Sequence, residues 1–178
     1  MKKDTLQWQI FDFIRTFVIS LIAVFLITQF IIKPIRVDGN SMYPTLNNNE
    51  LGIASVFKTY NQDIKRFDIV IIKLESKEYL IKRVIGMPNE VIEYKDNILY
   101  INNEAVSEEF LNEEYKSQYP IFTEDFGPVQ LSDDEYFCLG DNRINSKDSR
   151  YYGAFDVKQI KGVVNLMLWP FEVIKNEY

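Results

Sequence analysis

A chain of 178 residues without one histidine cannot build a Ser–His–Asp triad, a Cys–His pair or an imidazole-ligated metal site. Apolar residues make up 47%, enough for a packed core, and the net charge of −6 with no dominant basic patch argues against nucleic acid as a partner. The single cysteine, Cys138, excludes an internal disulfide and is expected to be a small core residue. Any hydrolytic chemistry must therefore take its base from lysine, a carboxylate or the chain amine.

Near the N-terminus, residues 16–32 form an uncharged apolar run bracketed by Arg15 and Lys33. As a helix this run spans about 25 Å, close to the shortest length that crosses a bilayer core. A cleavable signal peptide would end in small residues, whereas bulky ones follow here, and a buried core helix is the other alternative. We predict a membrane-spanning helix at 16–32, ended by Pro34. The flanking cations slightly favour a cytoplasmic N-terminal segment, residues 1–15.

The remainder, residues 33–178, is predicted to be one mostly β domain. Short runs rich in β-branched and aromatic residues are separated by turn formers, which is typical of strands. These runs are residues 35–38, 68–73, 79–85, 91–94, 98–101, 136–139 and 163–168. One helix is expected near 107–115, inside an acidic and less regular insertion at about 103–135.

The segment 37–46, Val-Asp-Gly-Asn-Ser-Met-Tyr-Pro-Thr-Leu, follows soon after the apolar run. A serine after Gly-Asn lies where the chain can turn sharply and expose its hydroxyl. Gly39 would allow the close backbone approach that an oxyanion site needs. An ordinary turn is the alternative, because glycine, asparagine, serine and proline all favour turns.

The segment 79–86, Tyr-Leu-Ile-Lys-Arg-Val-Ile-Gly, places two cations on a predicted strand. Side chains alternate between faces, so Lys82 and Arg83 point to opposite sides, each with apolar neighbours. At least one cation is therefore expected over buried surface. A buried lysine has a lowered pKa and can act as a base, whereas arginine stays protonated. Periodicity does not decide which of the two is buried, and a snorkelling or salt-bridged lysine remains the alternative.

The segment 140–150, Gly-Asp-Asn-Arg-Ile-Asn-Ser-Lys-Asp-Ser-Arg, is dense in turn formers and alternating charge. Its acidic and basic side chains could pair to fix a loop, and Ser146 or Ser149 could orient a neighbouring base. A calcium loop is a weaker interpretation, because the third position from Asp141 is Arg143. A solvated, salt-bridged turn is the remaining alternative.

These three segments, in this order after a predicted apolar helix, resemble those of type I signal peptidases. The resemblance is closest to the small Gram-positive type. The resembling segments are 39–46, 66–70 (Arg-Phe-Asp-Ile-Val), 82–88 (Lys-Arg-Val-Ile-Gly-Met-Pro) and 140–150. The resemblance implies a β domain of coiled antiparallel sheets on the extracytoplasmic side of the cell membrane. It also implies a membrane-bound serine endopeptidase that removes signal peptides from secreted preproteins without a metal or cofactor.

Site residues follow from the same resemblance. Ser41 would be the nucleophile and Lys82 the general base, with the Ser41 N–H in the oxyanion hole. Some relatives carry a serine where this chain has Gly39, so a main-chain donor must suffice. Ser146 would orient the Lys82 amine. The residues expected to hold the last loop against the site are Asp141, Asp148 and Arg150. The residues expected to line pockets for small substrate side chains are Ile35, Val37 and Ile81.

Two positions depart from the family pattern, and three rival functions stay open. Asn89 stands where the family usually has glycine, and asparagine tolerates the left-handed backbone. Met167 and Leu168 precede Trp169-Pro170, where a basic residue is common. The rivals are a soluble Ser–Lys autoprotease, a non-catalytic membrane-anchored protein that binds export substrates, and an acidic anchored structural module.

Overall fold

The computed structural model describes residues 3–30, 32–61, 63–169 and 171–173. A long N-terminal helix precedes a mostly β domain, as expected. The helices are α1 Lys3–Phe30, α2 Phe57–Tyr60, α3 Glu113–Lys116 and α4 Ser149–Tyr152, and the 3₁₀ turns are Arg143–Asn145 and Val157–Gln159. The strands are β1 Ile32–Arg36, β2 Leu51–Ser55, β3 Ile69–Lys73, β4 Tyr79–Gly86, β5 Val91–Lys95, β6 Ile98–Ile101, β7 Glu104–Val106, β8 Phe126–Gln130, β9 Glu135–Leu139, β10 Phe155–Asp156, β11 Ile160–Trp169 and β12 Phe171–Val173.

Helix α1 is long and apolar enough to cross a membrane over Gln7–Leu26, a stretch with none of its residues buried in the protein. Its 20 residues span about 30 Å, the thickness of a bilayer core. This candidate stretch begins before the predicted run, and the two charged residues that it includes, Asp12 and Arg15, pair within the helix at 3.3 Å. The helix also ends earlier than the sequence predicted. It ends at Phe30, and Pro34 lies in β1, where it is the register partner of Ile53.

Two antiparallel sheets build the domain. The larger sheet has the order β1-β2-β11-β3-β4-β9-β10, with β12 also paired to β11, and the smaller has the order β7-β6-β5-β8. Every predicted strand run overlaps a strand of these sheets. Strands β2, β7, β8, β10 and β12 were not predicted, since they are short or carry residues with low β propensity such as Gly52, Ala54 and Pro128.

The predicted helix near 107–115 is wrong for most of its length, because only the single turn α3 is helical in that region. Side chains from this segment are instead used in tertiary contacts. Glu108 pairs with buried Arg143, and the Phe110 ring lies 4.3 Å from the Arg83 guanidinium carbon. The acidic insertion thus contains β7, the single-turn helix α3 and β8.

The expectation for Asn89 is confirmed, since it adopts the left-handed backbone with φ of 67°. Its N–H donates to the Ser132 carbonyl at 3.0 Å, which connects the turn between β4 and β5 to the loop between β8 and β9. Cys138 is fully buried in the core beside Val70 and Val84, and burial raises the pKa of its thiol. It is a core residue, as its sequence context suggested.

Candidate active site

Ser41 lies in a compact turn that follows β1. Val37 begins this segment by exchanging backbone hydrogen bonds with the loop at Asn49 and Glu50, each 2.9 Å long. Buried Met42 and Leu46 then fix the turn to the core, each 1% exposed. Ser41 itself is only half-buried, so its hydroxyl is accessible from the adjacent cleft.

Gly39 takes the left-handed backbone that the turn requires, with φ of 90°. A side chain built at this position meets nothing within 4 Å, so glycine is needed here for its backbone angle rather than for space. The Gly39 N–H is already engaged, because it donates to the Asn48 side-chain oxygen at 3.0 Å.

Lys82 reaches Ser41 from β4, where it is the register partner of Val70. Its ammonium donates to Ser41 Oγ at 2.7 Å and to the Ile81 carbonyl at 3.0 Å. Lys82 is 2% exposed. A serine hydroxyl and a buried amine therefore share a hydrogen bond, although 41 positions separate them in sequence.

Both neighbouring cations are buried, but only one has a counter-charge. Arg83 donates to both oxygens of Asp141, at 2.9 and 2.6 Å, and to the Phe67 carbonyl at 2.9 Å. Among the described residues, Lys82 makes no ion pair within 4.0 Å. Arg83 is thus neutralised as a structural group, while Lys82 is free to exchange its proton.

Burial lowers the pKa of Lys82 from 10.5 to about 8, and the Asp148 carboxylate partly opposes this shift. At pH 7 about one amine in ten is then neutral, against about one in three thousand for an ordinary lysine. The amine can therefore accept a proton from Ser41 near neutral pH.

The loop 140–150 is fixed by buried polar contacts. Asp148 accepts from the Gly140 N–H at 3.0 Å and from the Arg150 guanidinium at 2.8 and 2.9 Å. Burial raises the Asp148 pKa, but these hydrogen bonds outweigh it and hold the pKa below its ordinary value. Together with the Arg83–Asp141 pair, these contacts bring the three residues expected to hold this loop next to β4.

Ser146 lies beside Gly140, close enough to Asp148 to help lower its pKa. Its hydroxyl is buried and makes no hydrogen bond of good geometry within the part of the chain that the structure describes. The expected bond from Ser146 to the Lys82 amine is accordingly not formed between these two described residues. Its orienting role stays a prediction.

An open cleft of about 1030 Å³ extends from Ser41 and Lys82. Ile35, Val37 and Ile81, the three predicted pocket residues, all line it and pack in one apolar cluster. Sequence reasoning missed other lining residues, among them Ala54 and Ile71. The signal for Ile71 was its place in a predicted strand, opposite Ile81, whereas Ala54 lies on β2, which was not predicted.

One edge of β4 is open beside this cleft. β4 pairs with β3 from Tyr79 to Arg83 but with β9 only from Arg83 onward. The Val84 N–H donates towards the β3 side, to the Asp68 carbonyl. Since backbone groups alternate along a strand, those of Ile81 point away from β3. The Ile81 main chain is therefore presented at an edge that β9 does not cover.

The comparisons with known proteins agree with this architecture. A family model described as signal peptidase, peptidase S26, matches residues 10–169. The chain belongs to this family, whose members are peptidases.

Relatives extend over nearly the whole chain. The protein is 41% identical to signal peptidase I P of Bacillus subtilis subsp. natto over 98% of this chain and 97% of the relative. It is 30% identical to signal peptidase IB of Staphylococcus aureus over 100% of this chain and 96% of the relative. These similarities place it with the small Gram-positive type.

A solved structure is also similar. The crystal structure of a signal peptidase I from Enterococcus faecalis V583 matches with a TM-score of 0.51 and 34% identity, covering 56% of this chain and 95% of that one. This match supports the antiparallel β fold.

Proposed function

We propose that this protein is a membrane-bound serine endopeptidase that removes N-terminal signal peptides from secreted preproteins, with Ser41 as nucleophile and Lys82 as general base. The observation that carries the proposal is the 2.7 Å contact between the Ser41 hydroxyl and the Lys82 amine. An amine with a pKa of about 8 is a competent base near neutrality, which an ordinary lysine is not.

The chemistry is acyl transfer in two stages. The neutral Lys82 amine takes the Ser41 proton while Oγ attacks the scissile carbonyl, and the Ser41 N–H stabilises the resulting oxyanion. The Lys82 ammonium then returns its proton to the leaving amine as the peptide bond breaks. In the second stage Lys82 takes a proton from water, the hydroxide attacks the serine ester, and the proton returns to Ser41.

The substrate binds as an extended strand. The open edge of β4 at Ile81 offers main-chain hydrogen bonds, and the adjacent cleft accepts alternate side chains. Ile35, Val37 and Ile81 supply an apolar lining against which small side chains such as alanine bind on the acyl side of the cut. We expect the enzyme to select small residues at the first and third positions before the cleavage site.

The apolar helix α1 anchors the enzyme in the cell membrane as a single span. β1 begins at Ile32, two residues after α1 ends at Phe30, so the catalytic domain stays next to the bilayer. We assign the residues that precede this span to the cytoplasm and residues 33–178 to the extracytoplasmic side. Proximity to the membrane raises the effective concentration of a preprotein held by its signal peptide.

The test is cleavage of a preprotein by full-length enzyme in detergent. Ser41→Ala, Lys82→Ala and Lys82→Arg should each abolish cleavage, the last because arginine keeps the charge but cannot accept a proton. In the wild type, kcat/KM should rise with pH and level off above about 8, as Lys82 loses its proton. Preprotein that is bound but never cut by the wild type would favour a non-catalytic protein that binds export substrates. Cleavage by purified Ser41→Ala would contradict the assignment.

A further inference from the structure

Asn142 connects the loop 140–150 to the backbone on both sides of the Ser41 peptide group. Its side-chain amide donates to the Asn40 carbonyl at 3.0 Å, and its own N–H donates to the Ser41 carbonyl at 3.0 Å. The side chain is 4% exposed, so these bonds form away from solvent. One residue therefore restrains two consecutive peptide groups at the nucleophile.

The Asn40 carbonyl and the Ser41 N–H belong to the same planar trans peptide and point in opposite directions. Fixing the carbonyl therefore fixes the direction of the N–H. The Asn40 carbonyl also accepts a second hydrogen bond, from the Tyr43 N–H, at 3.2 Å. Among the described residues, no hydrogen bond engages the Ser41 N–H. The group is thus held in place and left available for an oxyanion.

We propose that Asn142 is a positioning residue for the oxyanion donor, the Ser41 N–H, an inference that rests on the proposed function. The hydrogen bond that the Asn40 carbonyl accepts from Asn142 also polarises the peptide group between Asn40 and Ser41. This polarisation strengthens the Ser41 N–H as a donor. Asn142 acts through the backbone and does not touch the reacting atoms.

Tyr115, from the acidic insertion, fixes the orientation of the Asn142 amide. Its hydroxyl donates to Asn142 Oδ1 at 3.2 Å, and the Asn145 N–H donates to the same oxygen at 3.3 Å. Two donors on the oxygen side keep the Asn142 NH₂ group directed at the Asn40 carbonyl. The Tyr115 ring also packs edge-on against Tyr43, two residues after the nucleophile, with centroids 5.1 Å apart.

The acidic insertion also contacts Arg143, the residue that follows Asn142. Arg143 is buried and donates to Glu108 at 2.5 Å and to the Thr123 hydroxyl at 3.3 Å. Residues of the insertion therefore hold two consecutive positions of the loop, Asn142 and Arg143. The function of the acidic insertion is therefore to stabilise the loop that orients the oxyanion donor.

Two variants test the proposal. Asn142→Ala removes the bond to the Asn40 carbonyl but keeps the backbone bond to Ser41, and kcat should fall about ten- to hundredfold with KM unchanged. Tyr115→Phe removes one bond to Asn142 and should lower kcat about two- to tenfold. Tyr151→Phe, at a tyrosine that is 68% exposed, is the matched control and should leave kcat unchanged.

A peptide aldehyde of small residues separates positioning from a loss of folding. Ser41 Oγ adds to the aldehyde carbon and its proton passes through Lys82 to the new hemiacetal oxygen, which occupies the oxyanion position. The inhibition constant should rise in each variant by the same factor as KM/kcat, while the pH dependence and the thermal midpoint stay as in the wild type. Titration with the aldehyde also counts active sites.

An unchanged inhibition constant alongside a lower kcat would overturn the proposal, and so would a rise in KM alone. If Asn142→Ala fails to fold, Tyr115→Phe carries the test by the same comparison. Failure of the proposed function would look different, because the aldehyde would then bind Ser41→Ala as tightly as the wild type.

Discussion

Lys82 should destabilise the fold at neutral pH, and replacing it by methionine should reverse this. Lys82 is 2% exposed, and the pKa of its amine falls from 10.5 in the unfolded chain to about 8 in the folded protein. At about 1.4 kcal/mol per pKa unit, the folded state loses about 3 kcal/mol at pH 7 by keeping this group. Methionine has a similar length and carries no charge, so Lys82→Met should be more stable by about this amount while losing all cleavage.

The pH dependence gives this prediction its sign. Between pH 8 and 10.5 the folded protein binds fewer protons at Lys82 than the unfolded chain does, so wild-type stability rises with pH across this window. The advantage of Lys82→Met should accordingly be largest below pH 8 and shrink towards zero near pH 10.5. Tyr94, whose burial raises its pKa to about 12, titrates alike in both proteins and cancels in the difference.

The assay is urea unfolding of full-length protein in a mild detergent, followed by near-ultraviolet circular dichroism at pH 7, 9 and 10.5. Lys65→Met, at an exposed position, is the control and should change stability by less than about 0.5 kcal/mol. A Lys82→Met protein no more stable than the wild type at pH 7 would refute the reasoning. A stability difference that does not vary with pH would refute it equally.

Two further predictions concern the loop beside the dyad. Gly140→Ala should remove most of the cleavage activity and destabilise the fold by about 1–3 kcal/mol. The reason is that the new Cβ would lie closer than 3.0 Å to Ser146 Oγ and to the Ser41 carbonyl oxygen. A cleavage rate per folded enzyme near the wild-type value would contradict this. Asp141→Ala should cost about 3–5 kcal/mol in urea unfolding, since Arg83 would stay buried without its counter-charge. A second change, Arg83→Met, should restore much of that stability, and an additive further loss in the double variant would show that the ion pair is not the cause.

The sequence by itself indicated the family and the main elements of the fold. The lack of histidine left lysine, a carboxylate or the chain amine as the possible base, and β-branched runs located five strands of the larger sheet: β1, β3, β4, β9 and β11. The left-handed turn at Asn89 followed from the local preference of one residue type. Such features depend on composition or on neighbours in the chain, so they can be read without coordinates.

Local patterns misjudged the acidic insertion, where tertiary contacts override helix propensity. Glu108 and Phe110 have partners on Arg143 and Arg83, which lie far away in sequence. A helix through this segment would give up those buried contacts, and their free energy exceeds the small intrinsic preference of a short acidic helix.

Only the tertiary structure decided which cation is available. Alternation along the strand placed Lys82 and Arg83 on opposite faces, but both faces are covered. The two cations differ because Arg83 has a counter-charge in Asp141, which lies 58 positions further along the chain. The roles of Asn142 and Tyr115 were equally hidden, because a hydrogen bond to the Asn40 carbonyl depends on how distant loops meet. A pKa and a peptide orientation are set by what surrounds a group in space, and sequence neighbours supply only part of those surroundings.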